Sequence, residues 1–70
     1  MDFILKGDYI KLDQLLKAAN IAGSGGEAKI LIEEGSVLYN GEIETRRGKK
    51  IYRGDRVTGK DDKNIDITVL

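Results

Sequence analysis

Leu12, Leu15, Leu16 and Ala19 recur at the i, i+3, i+4, i+7 spacing that lines one face of a helix, with Asp13, Gln14 and Lys17 outside it. This spacing predicts a first helix of about two and a half turns. Residues 20–23 then supply the polar and glycine residues of a break. Ser24, followed three residues later by Glu27, forms a capping box that opens a second helix. Ala28, Leu31 and Ile32 mark the buried face of that helix, and Gly35 can take the left-handed conformation that ends it, so its expected span is residues 25–34.

Beyond Gly35 the period changes from helical to alternating. Val37-Leu38-Tyr39, then Asn40-Gly41, then Glu42-Ile43-Glu44 is a hairpin signal, because Asn and Gly both tolerate the positive φ of a type I′ turn. Shorter strands are expected at residues 50–52 and 55–58, separated by Arg53-Gly54, and at residues 65–69, where Ile65, Ile67 and Val69 alternate with polar residues. Phe3-Ile4-Leu5 forms an expected first strand. The order of elements predicts an α+β domain, with two short helices packed on a small, mainly antiparallel sheet that carries a basic hairpin loop. No repeat or linker divides residues 1–70, so a single domain is expected.

Composition narrows the chemistry. The chain has no His and no Cys, which excludes an imidazole base, a thiol nucleophile, a disulfide and a zinc site of the usual Cys/His spacing. No cofactor is expected. Apolar runs reach only three residues, such as Ile30-Leu31-Ile32, against the ~20 of a membrane-spanning helix. With no signal peptide evident either, the expected address is cytoplasmic. A chain of 70 residues also leaves little room for a deep pocket, which directs attention to its surface.

Twelve Lys plus Arg balance twelve Asp plus Glu, but the balance is uneven along the chain. Between residues 44 and 56 lie Arg46, Arg47, Lys49, Lys50, Arg53 and Arg56 against Glu44 and Asp55, six minus two or +4, leaving −4 for the remainder. A concentrated basic segment is the electrostatic footprint of a binder of polyanions, although Lys and Arg also serve solubility and protect sheet edges. Arg46-Arg47-Gly48-Lys49-Lys50 follows the predicted hairpin directly, contains no acidic residue, and includes a glycine that lets backbone approach a phosphate.

Ser24-Gly25-Gly26 opens the second helix, where unpaired N–H groups and a partial positive charge favour an anion, and Lys29 lies one turn further on. A plain N-cap is the simpler account of those three residues. A nucleotide-binding P-loop is rejected, since the Gly before Lys29 is missing, Ile30 replaces Ser/Thr, and a helix precedes the segment instead of a strand. Tyr9, Tyr39 and Tyr52 could stack on bases, but a chain with one Phe and no Trp needs aromatic volume, which makes core or partial burial the expectation for each. Asp61, Asp62 and Asp66 form a polar turn without calcium-loop spacing, and Glu33, Glu34, Glu42 and Glu44 are expected on exposed faces.

The combined positions Lys11-Leu12-Asp13-Gln14-Leu15-Leu16, Ser24, Ala28-Lys29, Leu31-Ile32, Gly35, Val37, Asn40-Gly41, Gly54-Asp55 and Val57 resemble the RNA-binding domain named after small-subunit ribosomal protein four. The resemblance covers residues 9–57, and the stretches 25–29 and 46–50 look most like its small stand-alone bacterial members. It implies two helices followed by a hairpin in an L-like arrangement, binding structured RNA through the second helix and the adjoining basic loop. Lys29 matches a recurrent basic site. Lys11 stands where many members have Arg, keeping the charge but losing the planar fork. Gly25 stands where many have Arg after the capping Ser, so a guanidinium contact is missing that the 46–50 cluster can replace.

The expectation is therefore a monomeric, non-catalytic module that binds structured RNA, with ribosomal RNA as the target class implied by the family. Its expected contacts are Lys11, Ser24, Gly25, Gly26, Lys29, Arg46, Arg47, Lys49, Lys50 and Arg53. The competing reading is a protein-interaction domain that offers the basic patch or a sheet edge to an acidic partner. Neither reading involves a membrane or a small-molecule substrate.

Overall fold

The computed structural model describes residues 1–70 throughout. Its elements are β1 (Asp2–Phe3), β2 (Ile10–Lys11), α1 (Leu12–Ala18), α2 (Gly25–Glu33), β3 (Val37–Tyr39), β4 (Glu42–Ile43), β5 (Lys50–Ile51), β6 (Arg56–Gly59) and β7 (Asp66–Val69). Five strands form one sheet in the order β1-β7-β6-β3-β4, and β2 and β5 form a separate antiparallel ribbon. Only the β1–β7 pair is parallel. The fold is α+β and mainly antiparallel, as the order of elements implies. No helix is long and apolar enough to cross a membrane.

Local chemistry accounts for the element ends. Ser24 Oγ accepts from the Glu27 N–H at 3.2 Å, and the Glu27 carboxylate accepts from the Gly23 N–H at 2.7 Å, so one residue further back than Ser24 is held. Asn40 and Gly41 have φ of 48° and 90°, the positive pair that a type I′ turn requires. The hairpin is then fastened to β6 through the Asn40 side chain, whose Oδ1 accepts from the Arg56 N–H at 2.8 Å.

The core unites Leu12, Leu15 and Leu16 of α1, Ala28 and Ile32 of α2, and the inward residues of the strands, Val37, Ile51, Val57, Ile67 and Val69. Its alternation at Ile65, Ile67 and Val69 follows the period of a half-buried strand. Five of the expected strands differ by a residue or two in extent, β4 ending at Ile43 and β7 beginning at Asp66 among them. The first ends at Phe3 instead of running to Leu5, the third pair is Lys50–Ile51, and β6 begins at Arg56. Strand β2 had no counterpart in the pattern, because two residues carry no period of their own and become a strand only by pairing with β5.

Candidate nucleic-acid interface

The basic segment 46–50 spans the short loop between β4 and β5 and the first residue of β5, and its backbone is held by α1. The Leu12 N–H donates to the Lys49 carbonyl at 2.9 Å and the Asp13 N–H to the Arg47 carbonyl at 3.1 Å. Those amides belong to the first turn of α1, where N–H groups lack partners inside the helix. The N-cap residue Lys11 makes no side-chain cap, so the loop carbonyls accept from these two amides, and Asp13 Oδ1 accepts from the next, the Gln14 N–H, at 2.8 Å. A further bond from the Lys49 N–H to the Arg46 carbonyl at 3.2 Å closes the loop on itself.

Glu44 corrects an expectation. Alternation along Glu42-Ile43-Glu44 suggested both carboxylates in solvent, but Glu44 is only 8% exposed whereas Ile43 is 51% exposed. The pairing explains this inversion. Leu38 lies opposite Ile43, and the Glu44 N–H donates to the carbonyl of the buried Val37, so Glu44 shares the inward face. Its carboxylate accepts from Arg46 Nε and NH2, both at 3.0 Å, and from the Arg46 backbone N–H at 3.0 Å. These bonds outweigh burial and hold the Glu44 carboxyl at about 2, well below its ordinary 4.5. Arg46, with its side chain 72% exposed, keeps outward donors but has its charge balanced.

The only other ion pair joins Arg56 to Asp66. Arg47, Lys49, Lys50, Lys11 and Lys29 therefore have no carboxylate within salt-bridge reach. Lys11 lies directly opposite Lys50 in the β2–β5 ribbon, a like-charge pairing that costs stability unless an anion compensates it. Lys50 Nζ sits 4.8 Å from the centre of the Tyr9 ring, and Lys49 Nζ lies at the same distance from the Tyr39 ring.

The expected contacts thus fall into separate groups. Lys11, Arg47, Lys49 and Lys50 gather where the loop meets the start of α1. Arg53 lies past β5, where its guanidinium donates to the Leu5 carbonyl at 2.7 Å. At the start of α2, Ser24 Oγ is engaged by Glu27, whose carboxylate also brings a negative charge to that helix end. Lys29 is exposed on α2, and no hydrogen bond or ion pair joins it to the basic loop.

The tyrosines correct a second expectation. Tyr39 is partly buried, with its hydroxyl donating to Asp55 at 3.3 Å, but Tyr9 and Tyr52 are 39% and 48% exposed. Their ring centres lie 6.2 Å apart in an edge-to-face arrangement. Composition argued for burial because the core needs volume; aliphatic side chains supply that volume instead.

Known proteins resemble this chain in sequence, and one in structure. "Probable ribosome maturation protein RlbA" of Bacillus subtilis (strain 168) is 48% identical over 50 residues, covering 71% of this chain and 70% of that one. "Putative RNA-binding protein YbcJ" of Escherichia coli (strain K12) is 42% identical over 53 residues, 76% of each chain. A solution structure of the E. coli protein YbcJ, described as revealing an αL motif involved in RNA-binding, superimposes with a TM-score of 0.68 at 35% identity, covering 96% of this chain and 85% of that one. The description of the S4 domain matches residues 3–68, so that both helices, the hairpin and the basic loop lie within its span, and the chain belongs to the S4 domain family.

Proposed function

We propose that this chain is an RNA-binding module that acts by binding alone, contacting the phosphates of folded RNA through Arg47, Lys49, Lys50 and Lys11, with Arg46 at the edge of the patch. One observation carries the reading: four cations without a carboxylate partner, Arg47 and Lys49 on the loop and Lys50 and Lys11 on the adjoining ribbon, gather where the loop backbone is fastened to α1. A loop whose backbone is already held loses little main-chain freedom when it meets an anionic backbone, and counterion release then supplies the affinity. Membership of the S4 domain family, and the RNA-binding wording attached to YbcJ, support RNA as that polyanion. The name of the B. subtilis relative supports ribosomal RNA as the target class; in this reading a monomer binds it in the cytoplasm. Ser24, Gly25, Gly26, Lys29 and Arg53 form a second, outlying set of contacts in this reading, and residues 1–70 act as one unit.

The test is fluorescence anisotropy with a structured ribosomal RNA fragment, a single strand and duplex DNA, at two salt concentrations. Wild type is compared with an Arg47/Lys49/Lys50→Ala variant whose fold is checked by circular dichroism. Arg46 is left in place because its removal would strand the buried Glu44 carboxylate. Neutralising four phosphates gives a slope of about −3 to −4 in log affinity against log salt, and the variant flattens it by about 2 to 3. A salt-independent affinity, or equal affinities for both proteins, refutes the reading.

A further inference from the structure

The β2–β5 ribbon sorts its residues by parity. Ile10 pairs with Ile51, and Lys11 pairs with Lys50. Extending that register by one step sets Tyr9 opposite Tyr52, in agreement with the 6.2 Å between their ring centres. Because side chains alternate across a strand, Ile10 and Ile51 face one side while Tyr9, Lys11, Lys50 and Tyr52 share the other. Ile51 is fully buried and Ile10 packs against the core, so the face with two phenols and two ammonium groups is the outward one. Lys50 crosses it diagonally to lie over the Tyr9 ring at 4.8 Å.

Two exposed aromatic rings flanked by unpaired cations suit a nucleotide taken apart into its pieces, the base on a ring and the phosphate on the ammonium groups. A paired RNA helix keeps its bases stacked inside and offers such rings nothing; loops and bulges offer unstacked bases. The space beside Tyr9 agrees with this. An open cleft of about 320 Å³ is bounded by Phe3, Ile4, Leu5, Lys6, Tyr9 and Ile10, so the core does not close over that ring. The ribbon face also continues from the basic loop without interruption, since Lys50 belongs to both.

Resting on the RNA-binding reading above, we infer that the outward face of the β2–β5 ribbon stacks an unpaired nucleobase on Tyr9 and Tyr52 while Lys11 and Lys50 hold the adjoining phosphate. The module then selects a loop or bulge within structured RNA, not a continuous helix. Asp55 acts as a positioning residue, because its carboxylate accepts from the Tyr52 backbone N–H at 2.8 Å across the turn that carries Gly54.

The experiment uses the full chain and two fluorescent RNA hairpins with the same stem, one with an adenosine-rich loop and one whose loop is abasic, which keeps the phosphates and removes the bases. Wild type is expected to favour the adenosine loop by about 5- to 150-fold for each stacked base. Tyr52→Leu and Tyr9→Leu should abolish that preference without changing the salt slope, and Tyr52→Phe should keep it. NMR of the wild-type tyrosine rings gives a readout independent of variant folding: the Tyr9 and Tyr52 signals should move with the adenosine loop and stay still with the abasic one. Equal affinity for the two hairpins, or still ring signals while RNA is bound, overturns the inference and leaves phosphate binding standing. Dimerisation that Tyr9→Leu abolishes would assign the face to a second copy of the chain. Absence of salt-dependent binding to either hairpin would bring down the RNA-binding reading itself.

Discussion

Replacing Glu44 with Gln should weaken the fold and strengthen RNA binding together. The carboxyl falls from 4.5 to about 2 in the folded protein, a difference equivalent to about 3 kcal/mol at most. Arg46 is 72% exposed, so solvent screens part of this and about 1–2 kcal/mol is expected at pH 7. A depressed carboxyl stabilises the fold fully above its unfolded value of 4.5, and that stabilisation is lost as pH falls toward 2. Urea unfolding followed by circular dichroism should thus show Glu44→Gln below wild type at pH 7, with a midpoint lower by about 1–2 M for a slope near 1 kcal/mol per M. The gap should close as pH approaches 2. Released from its partner, Arg46 becomes an additional free cation, so RNA affinity should rise and the salt slope steepen by about 1. A stability gap as wide at pH 2 as at pH 7, or none at pH 7, would refute the account of Glu44.

A β-carbon at Gly59 would lie 2.2 Å from the Asp62 carbonyl oxygen and 3.1 Å from Ile65 Cβ, so Gly59→Ala must displace the backbone of the β6–β7 connection. The expected cost is about 1–3 kcal/mol, read as a fall in Tm of at least about 4 °C by thermal denaturation; a smaller fall would contradict the tight approach. The Tyr39 phenol is raised above 10, first by burial and then by the Asp55 carboxylate. Its contribution to stability is intact below pH 10 and is lost as pH rises through the folded value. An NMR titration of the Tyr39 ring should find that late ionisation, and Asp55→Asn should bring it partway back; ionisation at the ordinary value would remove the role given to burial and Asp55.

The elements most legible in the sequence are those specified by neighbours. Ser24 with Glu27, and Asn40 with Gly41, carry their geometry in two to four residues, and the leucines of α1 declare their buried face by spacing alone. Pairing across the chain was not legible. The parallel meeting of Asp2 with Thr68 and the ribbon joining Ile10 to Ile51 depend on contacts between distant segments. The site divided along the same line. The basic composition of residues 46–50 was visible directly, whereas the burial of Glu44 and the exposure of Tyr9 and Tyr52 follow from register, where a shift of one residue changes the face a side chain occupies.

The two hydrogen bonds from α1 to the carbonyls of Arg47 and Lys49 couple the opening of the loop to the fraying of the helix's first turn. A loop of like charges, left to itself, would spend much of its time swollen by its own repulsion. Here such swelling requires uncovering the amides of Leu12 and Asp13, and Leu12 is a fully buried member of the core. Local opening of the basic loop is therefore coupled to the core residue Leu12 and to the cooperative unit it belongs to. On the proposed reading, the spacing of the cations that meet RNA is kept by the same two amides that open α1, so a change that loosens the helix start should also weaken binding.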